Sequence, residues 1–101
     1  MTTKTFEAVT YRLAAGTDEQ AFLATVPATN AVLQQQPGFI WRRLARGENG
    51  EWLDCAEWES LAAAKAGADV FCADARVKPF LEAIDMATAS MRHADVLASV
   101  G

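Results

Sequence analysis

A tryptophan-rich hairpin constrains the fold of this chain more than any other feature. Two apolar segments, about residues 39–46 and 51–58, flank Asn49-Gly50, the dipeptide that best tolerates the positive φ angles of a type I′ turn. Because large aromatic surface on a sheet must be covered, a core, a ligand or a second subunit has to pack against this hairpin. The hairpin carries all the tryptophans of the chain, Trp41, Trp52 and Trp58.

Composition excludes several classes of protein. The length of 101 residues fits one domain with a modest core. A net charge of −4 argues against nucleic acid or an anionic membrane as partner, because both attract basic patches. No segment reaches the roughly 20 apolar residues of a membrane span. The N-terminus lacks the apolar run of a signal peptide, so we expect a cytoplasmic protein.

The potential metal ligands are few and scattered. The chain has one histidine and two cysteines, Cys55 and Cys72, without the spacing of a metal-ligand cluster. The same spacing favours two reduced, mostly buried thiols over a disulfide. We therefore expect no metal.

Strand and helix patterns alternate along the rest of the chain. β-branched and aromatic residues over 4–13 predict a first strand, and residues 90–98 predict a last one. After the hairpin, Ser60 is the expected N-cap of a second helix, and residues 74–84 are a further short helix with Pro79 near its first turn. The expected inner stripe of the second helix is Leu61, Ala64, Ala68, Phe71 and Cys72.

The first helix has a defined start and an internal break. Thr17 is its expected N-cap in a capping box, with Gln20 reaching back to the cap. Pro27 removes a hydrogen bond of the preceding turn and predicts a kink or break near Thr25-Val26. The expected apolar stripe of this helix is Phe22, Val26, Thr29 and Leu33.

The resulting order is βαββαβ, with an extra helical piece before the last strand. This order is that of the ferredoxin-like α+β fold, a four-stranded antiparallel sheet with helices on one face. The strands are apolar on both parities, and a monomer would expose a large apolar patch. We therefore predict a homodimer in which two sheets pack face to face. Trp41 shares its parity with Phe39 and is expected in the core or the dimer contact, and Trp52 is expected as a cross-strand or interface residue.

The chain resembles the antibiotic biosynthesis monooxygenase-like family of the dimeric α/β-barrel superfamily, over nearly its whole length as a single domain, residues 1–101. The residues that carry the resemblance are Pro37-Gly38-Phe39, Asn49-Gly50, Glu57-Trp58 and the helix start Ser60-Leu61-Ala62-Ala63-Ala64-Lys65.

The resemblance implies a dimer whose subunits each hold a pocket between sheet and helices. Some relatives oxidise phenols or quinols there with O₂ and no cofactor, and Trp58 matches a tryptophan that lines the pocket. Haem-degrading relatives also use an Asn on the first strand and a His on the second helix. Here Thr10 and Tyr11 stand on the strand and Ala68 on the helix, so haem degradation is disfavoured.

His93 and Trp58 are the two candidate catalytic residues. Asp95 follows His93 at a spacing that places both side chains on the same face of a strand. A histidine oriented by a carboxylate is suited to accept a proton from a phenol near neutral pH. The alternative is a surface or interface histidine with a coincidental acidic neighbour.

Other residues are candidate contacts for a ligand. Tyr11 and Arg92 are candidate substrate-binding residues, with Tyr11 donating a hydrogen bond to a substrate oxygen; a satisfied, partly buried tyrosine is the alternative. Trp58 is the candidate stacking wall, and a packed core tryptophan is its alternative. Arg42 and Arg43 are consecutive and point to opposite faces, either as solvated charges or with one binding an anionic group.

Two hypotheses of different classes follow. One is a cofactor-independent monooxygenase-like enzyme acting on a small aromatic, quinol-type compound. The other is a non-catalytic dimeric binding or interaction module. A cavity of roughly a few hundred Å³ lined by Trp58 and a polar group favours the enzyme, and a filled interior with Trp58 fully packed favours the module.

Overall fold

The chain forms one four-stranded antiparallel sheet with helices on one face, as the sequence predicts. The computed structural model describes residues 3–101, so the expectation about the extreme N-terminus lies partly outside the described residues. The strands lie in the order β2-β3-β1-β4, which is the ferredoxin-like order. The elements are β1 (Thr5–Leu13), α1 (Glu19–Ala24), α2 (Val26–Gln34), β2 (Phe39–Arg46), β3 (Trp52–Trp58), α3 (Leu61–Ala73), α4 (Lys78–Glu82) and β4 (Ile84–Asp95).

The hairpin turn differs from the predicted type I′ turn. Gly50 has a φ of 82°, but no non-glycine residue among those described has a positive φ, so Asn49 does not adopt the left-handed conformation. The Gly50 amide donates to the Gly47 carbonyl at 3.3 Å, as in a type I turn followed by a left-handed glycine. Asn49 instead accepts a hydrogen bond from the Glu51 amide through Oδ1, and this side-chain hydrogen bond stabilises the turn.

The start of α1 also differs from the prediction. Asp18, not Thr17, is the N-cap, and its Oδ2 accepts from the Ala21 amide at 3.0 Å. The Thr17 amide, which Gln20 would bond in a capping box, donates instead to the Ala14 carbonyl at 3.0 Å in the turn after β1, and the Asp18 carboxylate caps the helix one residue later.

Two other helix predictions are confirmed. The first helix breaks at Thr25, and α2 begins with Pro27 in its first turn. Ser60 is the N-cap of α3 and accepts from the Ala63 amide at 3.0 Å.

The last strand begins at Ile84 rather than at residue 90, and it ends at Asp95. The predicted last helix accordingly ends at Glu82. The register between β1 and β4 shifts between Thr10 and Arg12. Thr10 pairs with Ser90, whereas Arg12 pairs with Asp85. Residues 86–89 therefore bulge opposite one residue of β1. Thr88 Oγ1 accepts from the Arg12 amide at 2.9 Å and replaces the lost ladder bond.

The core lies between the sheet and the helices. Trp52 pairs across the strands with Tyr11 and is buried against Phe22, with their ring centroids 5.0 Å apart. Trp52 is thus a core and cross-strand residue. The inner stripe of α3 includes Gly67, which the sequence pattern did not indicate, and excludes Leu61, which is exposed.

The opposite face of the sheet carries a second set of apolar side chains. A register shift between Phe39 and Trp41 moves Trp41 to this open face, while Phe39 stays on the helix side and packs on Trp58. The assumption that both share one parity is therefore wrong, because the bulge adds one residue between them. Trp41 meets Phe6 edge to face at 6.0 Å, and the Arg43 guanidinium lies 4.7 Å from its ring centroid.

Candidate functional site

A cavity of about 260 Å³ lies between the sheet and helices α3 and α4. This volume is near the lower end of the roughly 300–1,000 Å³ typical of ligand sites, so the cavity suits a small ligand. The wall is mostly apolar. The polar residues among those that line it are Glu7, Tyr11, Arg42, Asp54, Cys72 and Ser90.

Trp58 forms part of the cavity wall as a packed residue. It is 1% exposed, and Phe39 meets its ring edge to face with centroids 5.4 Å apart. The other side lies against Gly67, where an added Cβ would come within 2.2 Å of the indole Cη2. Trp58 therefore shapes the cavity but presents almost no open ring face.

The indole N–H of Trp58 is equally enclosed. Nε1 is buried and has no hydrogen-bond partner, and among residues 3–101 it is the one buried side-chain polar atom in this condition. Leaving such a donor unpaired costs about 1–3 kcal/mol. The close packing around the six-membered ring offsets this cost, and the N–H is not open to the cavity.

Arg42, Asp54 and Tyr11 form a hydrogen-bonded network in the cavity wall. Arg42 Nε and Nη2 donate to the two Asp54 carboxylate oxygens at 2.8 and 2.7 Å. Its Nη1 donates to Thr29 Oγ1 at 2.6 Å and to Asn30 Oδ1 at 2.9 Å. The Arg42 side chain is only 6% exposed, so the default expectation of a solvated charge is wrong for this residue. Bidentate pairing and the two α2 acceptors compensate its burial.

The Tyr11 hydroxyl proton is used within the same network. Tyr11 donates to Asp54 Oδ2 at 2.9 Å. Burial and then the Asp54 carboxylate raise the pKa of Tyr11 far above its usual value, so the hydroxyl stays protonated. Tyr11 therefore has no proton left to donate to a ligand, which fits the alternative of a satisfied, buried tyrosine.

His93 is held by a different carboxylate from the one that the sequence indicated. Its Nε2 lies 2.8 Å from Glu7 Oε2, across the pairing of β4 with β1. Glu7 lines the cavity, whereas His93 lies beside it and outside the lining. Among the hydrogen bonds of the described residues, Asp95 makes none to His93, although it lies at the predicted spacing.

The structure brings Tyr11 and Trp58 together in the cavity and leaves Arg92 apart from them. Arg92 pairs with Ala8 on the adjacent strand. Ala8 and Arg92 alternate with Glu7 and His93, so they point to the open face of the sheet. A role for Arg92 in the same cavity has no support from this placement.

The two cysteines are free thiols. Cys55 is half-buried, but Cys72 is exposed and lines the cavity, so the expectation of two buried thiols is wrong for Cys72. Partial desolvation against the cavity wall, then the Asp69 and Glu7 carboxylates, raise the pKa of Cys72 even though the residue is exposed, which keeps the thiol in its less reactive form.

Sequence reasoning missed Glu7, Asp54 and the buried role of Arg42. Asp54 shares its strand parity with Trp52, Ala56 and Trp58, and Glu7 shares its parity with Val9 and Tyr11; a charged residue among such neighbours was the available signal. Within residues 3–101, no group of three or more His, Cys, Asp or Glu side chains is arranged to hold a metal ion. No helix in the same residues is long and apolar enough to cross a membrane.

Known proteins share this architecture. No family model matches the chain, and no curated protein sequence matches it. Among solved structures, SnoaB of Streptomyces nogalater, a cofactor-independent oxygenase, superposes with a TM-score of 0.65 at 18% identity and covers 98% of this chain and 96% of its own. The chain therefore has the same fold as this oxygenase structure.

Two further structures extend the comparison. A provisional antibiotic biosynthesis monooxygenase of Bordetella bronchiseptica has a TM-score of 0.76 at 16% identity, with 95% of this chain and 99% of its own covered. A haem-degrading protein of Mycobacterium tuberculosis, in its haem-free form, has a TM-score of 0.68 at 21% identity, with 100% and 99% covered. At these identities the likeness confirms the predicted fold, and the chemistry has to be argued from the site.

Proposed function

We propose that residues 1–101 form a single antibiotic biosynthesis monooxygenase-like domain. In this proposal the protein is a cytoplasmic, cofactor-independent monooxygenase acting on a small aromatic, quinol-type compound. The carrying observation is the cavity of about 260 Å³, mostly apolar and bounded by Glu7 and the Tyr11–Asp54 pair. An apolar body with a few placed polar groups is what a hydroxylated aromatic ring requires. The shared fold with a cofactor-independent oxygenase supports this assignment by analogy.

In the proposed reaction, the substrate itself supplies the electrons for O₂. For an anthrone, the ring methylene becomes a carbonyl, one oxygen atom of O₂ enters that carbonyl, and the other leaves as water with the two methylene hydrogens. The protein contributes a shaped, water-poor cavity and hydrogen-bond acceptors for the substrate hydroxyl. In this proposal His93 acts on the substrate only through Glu7, as a positioning residue, and Trp58 acts through the shape of the wall.

Haem degradation is disfavoured as a function of this cavity. Ala68 lines it at the helix position where the resemblance calls for a histidine. Ala68 offers no nitrogen to ligate or orient a haem, and His93 lies outside the lining.

A non-catalytic binding module is the second candidate, and the packing of Trp58 favours it. With 1% exposure, Trp58 has no free ring face on which a ligand could stack. The two candidates differ in one observable, because the enzyme consumes O₂ with a bound aromatic compound and the module does not.

The deciding experiment measures O₂ uptake and visible absorbance with a panel of anthrone and dihydroxynaphthalene compounds, after subtraction of the uncatalysed rate. We expect uptake of one O₂ per anthrone oxidised. In the variant Ala68→Phe, the added ring occupies the cavity and displaces the substrate. A displacement of about 1 Å lowers the rate of O₂ uptake about 100-fold. The matched control is Ala62→Phe, at an exposed position of the same helix, and it should retain the full rate.

Three outcomes separate the candidates. Uptake that falls in Ala68→Phe but not in Ala62→Phe supports the enzyme. Binding of panel compounds without O₂ uptake supports the module instead. Uptake that both variants retain would mean that the reaction does not occur in this cavity.

The homodimer is part of the same proposal. The open sheet face carries Phe6, Trp41 and Leu53, which are partly exposed in the single chain. A second sheet packed on this face would cover them and leave the cavity on the other side accessible.

A further inference from the structure

Glu7 occupies a buried position in the middle of the sheet. It pairs with Ala56 on one side and with His93 on the other, and its side chain faces the helices. It is 8% exposed and lines the cavity. A carboxylate at such a position is costly unless its oxygens find partners.

One Glu7 oxygen has a partner and the other is free. Oε2 meets His93 Nε2 at 2.8 Å, which is the hydrogen bond that the Glu7 side chain makes among the described residues. Oε1 is not among the buried side-chain atoms without a partner in residues 3–101, so it is not sealed in the protein. Because Glu7 lines the cavity and its side chain faces the helices, we infer that this oxygen faces the cavity.

His93 is placed to support Glu7 rather than to touch a ligand. It lies outside the cavity lining, and its ring nitrogen is committed to the carboxylate. A ring N–H donated to Oε2 holds the carboxylate in one orientation and fixes the direction of its second oxygen. Removing His93 would therefore change how Glu7 binds a ligand without removing a ligand contact.

The acidic groups of the cavity wall leave it short of protons to donate. Glu7 Oε1 offers only carboxylate lone pairs, and the Tyr11 hydroxyl proton is already donated to Asp54. A ligand whose oxygens only accept, such as a quinone or an aryl ether, leaves Glu7 Oε1 unpaired. A ligand with a hydroxyl group satisfies it.

We propose that Glu7 is the group that binds the ligand hydroxyl, and that His93 is a positioning residue that acts through Glu7. The cavity then selects the reduced, hydroxyl-bearing form of an aromatic compound over its quinone or ether. This inference rests on the proposed function, since it assumes an aromatic ligand, and it assigns to Glu7 the ligand contact that the sequence indicated for His93.

The test measures dissociation constants by calorimetry for a dihydroxynaphthalene and for the matching dimethoxynaphthalene, which has the same rings but no hydroxyl donor. We expect the wild-type protein to bind the diol about 10–100-fold more tightly, the preference that one hydrogen bond to a charged group supplies. Glu7→Gln should reduce this preference by about tenfold or more and leave the dimethoxy compound unaffected. Glu7→Met, an apolar side chain of similar length, repeats the measurement if the Gln variant does not fold.

His93→Asn tests the positioning role through a double-mutant cycle. We expect it to lower the diol preference in the wild-type background and to cause no further loss in Glu7→Gln, because its effect passes through Glu7. A further loss in the Glu7→Gln background would mean that His93 contacts the ligand itself, and it would overturn the assignment.

The remaining outcomes separate this inference from the proposed function. Equal affinity of the wild-type protein for the diol and the dimethoxy compound would overturn the role of Glu7 and leave the aromatic site intact. Failure to bind either compound would remove the proposed function, and the role of Glu7 with it.

Discussion

At the scale of single residues, Gly67 decides where Trp58 lies. A Cβ at position 67 would come within 2.2 Å of Cη2 and 2.6 Å of Cζ3 of the indole, distances that no real packing allows. The absence of a side chain lets the indole lie flat against α3 and close one wall of the cavity. The alanine-rich helix thus fits the sheet because of one glycine and not because of its alanines alone.

We expect Gly67→Ala to destabilise the protein, although alanine is more favourable than glycine in a helix interior by about 1 kcal/mol. The clash with Trp58 forces the indole to move, and overpacking of this kind costs about 1–3 kcal/mol. Urea denaturation followed by tryptophan fluorescence measures the free energy of unfolding directly.

The control for this prediction is the same substitution in a Trp58→Phe background. The smaller ring does not extend to the position of Cη2, so alanine at position 67 should there be neutral or stabilising relative to glycine. A gain in stability from Gly67→Ala in the wild-type background would show that Trp58 is not held by this contact.

The residue-level errors of the sequence reading have a common physical cause. Tyr11 and Trp58 both line the cavity, and Trp58 was singled out through the family resemblance rather than through a local pattern. Glu7 was missed as the partner of His93 because the two pair across strands that are far apart in the chain. Asp95 was chosen because it is near in sequence, but register, not spacing, decides which carboxylate a strand residue meets.

At the scale of the elements, the start of α1 depends on one side chain. Thr17 and Asp18 are both acceptable N-caps by residue type, and the sequence favoured Thr17 through its capping-box spacing. In the structure Asp18 accepts from the Ala21 amide. The choice between adjacent caps follows from how the chain leaves β1, which local sequence does not contain.

We therefore expect Asp18→Ala to lower the free energy of unfolding by about 1 kcal/mol, the usual loss for an N-cap. Thr17→Ala is the matched control and should change it by less than about 0.5 kcal/mol, as for an ordinary surface substitution. Thermal and urea unfolding of both variants check the pair. A larger loss for Thr17→Ala than for Asp18→Ala would contradict this assignment and support Thr17 as the N-cap.

The start of β4 was the element boundary furthest from its prediction. Residues 84–89 contain Ala and Met, which favour helices, and they follow a short helix without a glycine between them. The structure makes them a strand because Ile84 and Asp85 pair with β1 before the bulge. Non-local pairing overrides intrinsic propensity here, whereas the positions of the hairpin strands and the start of α3 were predicted well because their sequence signals are local, although the type of the hairpin turn was not.

At the scale of the whole molecule, the two faces of the sheet carry different sets of side chains. The helix side carries the cavity with Glu7, Tyr11 and the buried Arg42–Asp54 pair. The open side carries Phe6, Trp41 and Leu53 on neighbouring strands. Since the two sets alternate along the same strands, a partner can cover one face without blocking the other.

The proposed dimer through the open sheet face is testable at one leucine. Leu53 is 39% exposed on the open face, and Leu61 is 44% exposed at the start of α3 on the helix side. Leu53→Glu would bury an unpaired carboxylate between two sheets at a cost of about 3–5 kcal/mol, which raises the dissociation constant of the dimer at least about 100-fold. Leu61→Glu places the same charge outside the proposed interface and should leave the mass unchanged. Light scattering coupled to gel filtration at micromolar concentration measures both. A monomeric wild-type protein, or a dimer that survives Leu53→Glu as readily as Leu61→Glu, would refute packing through this face, because the apolar side chains of the open sheet would then be left in water.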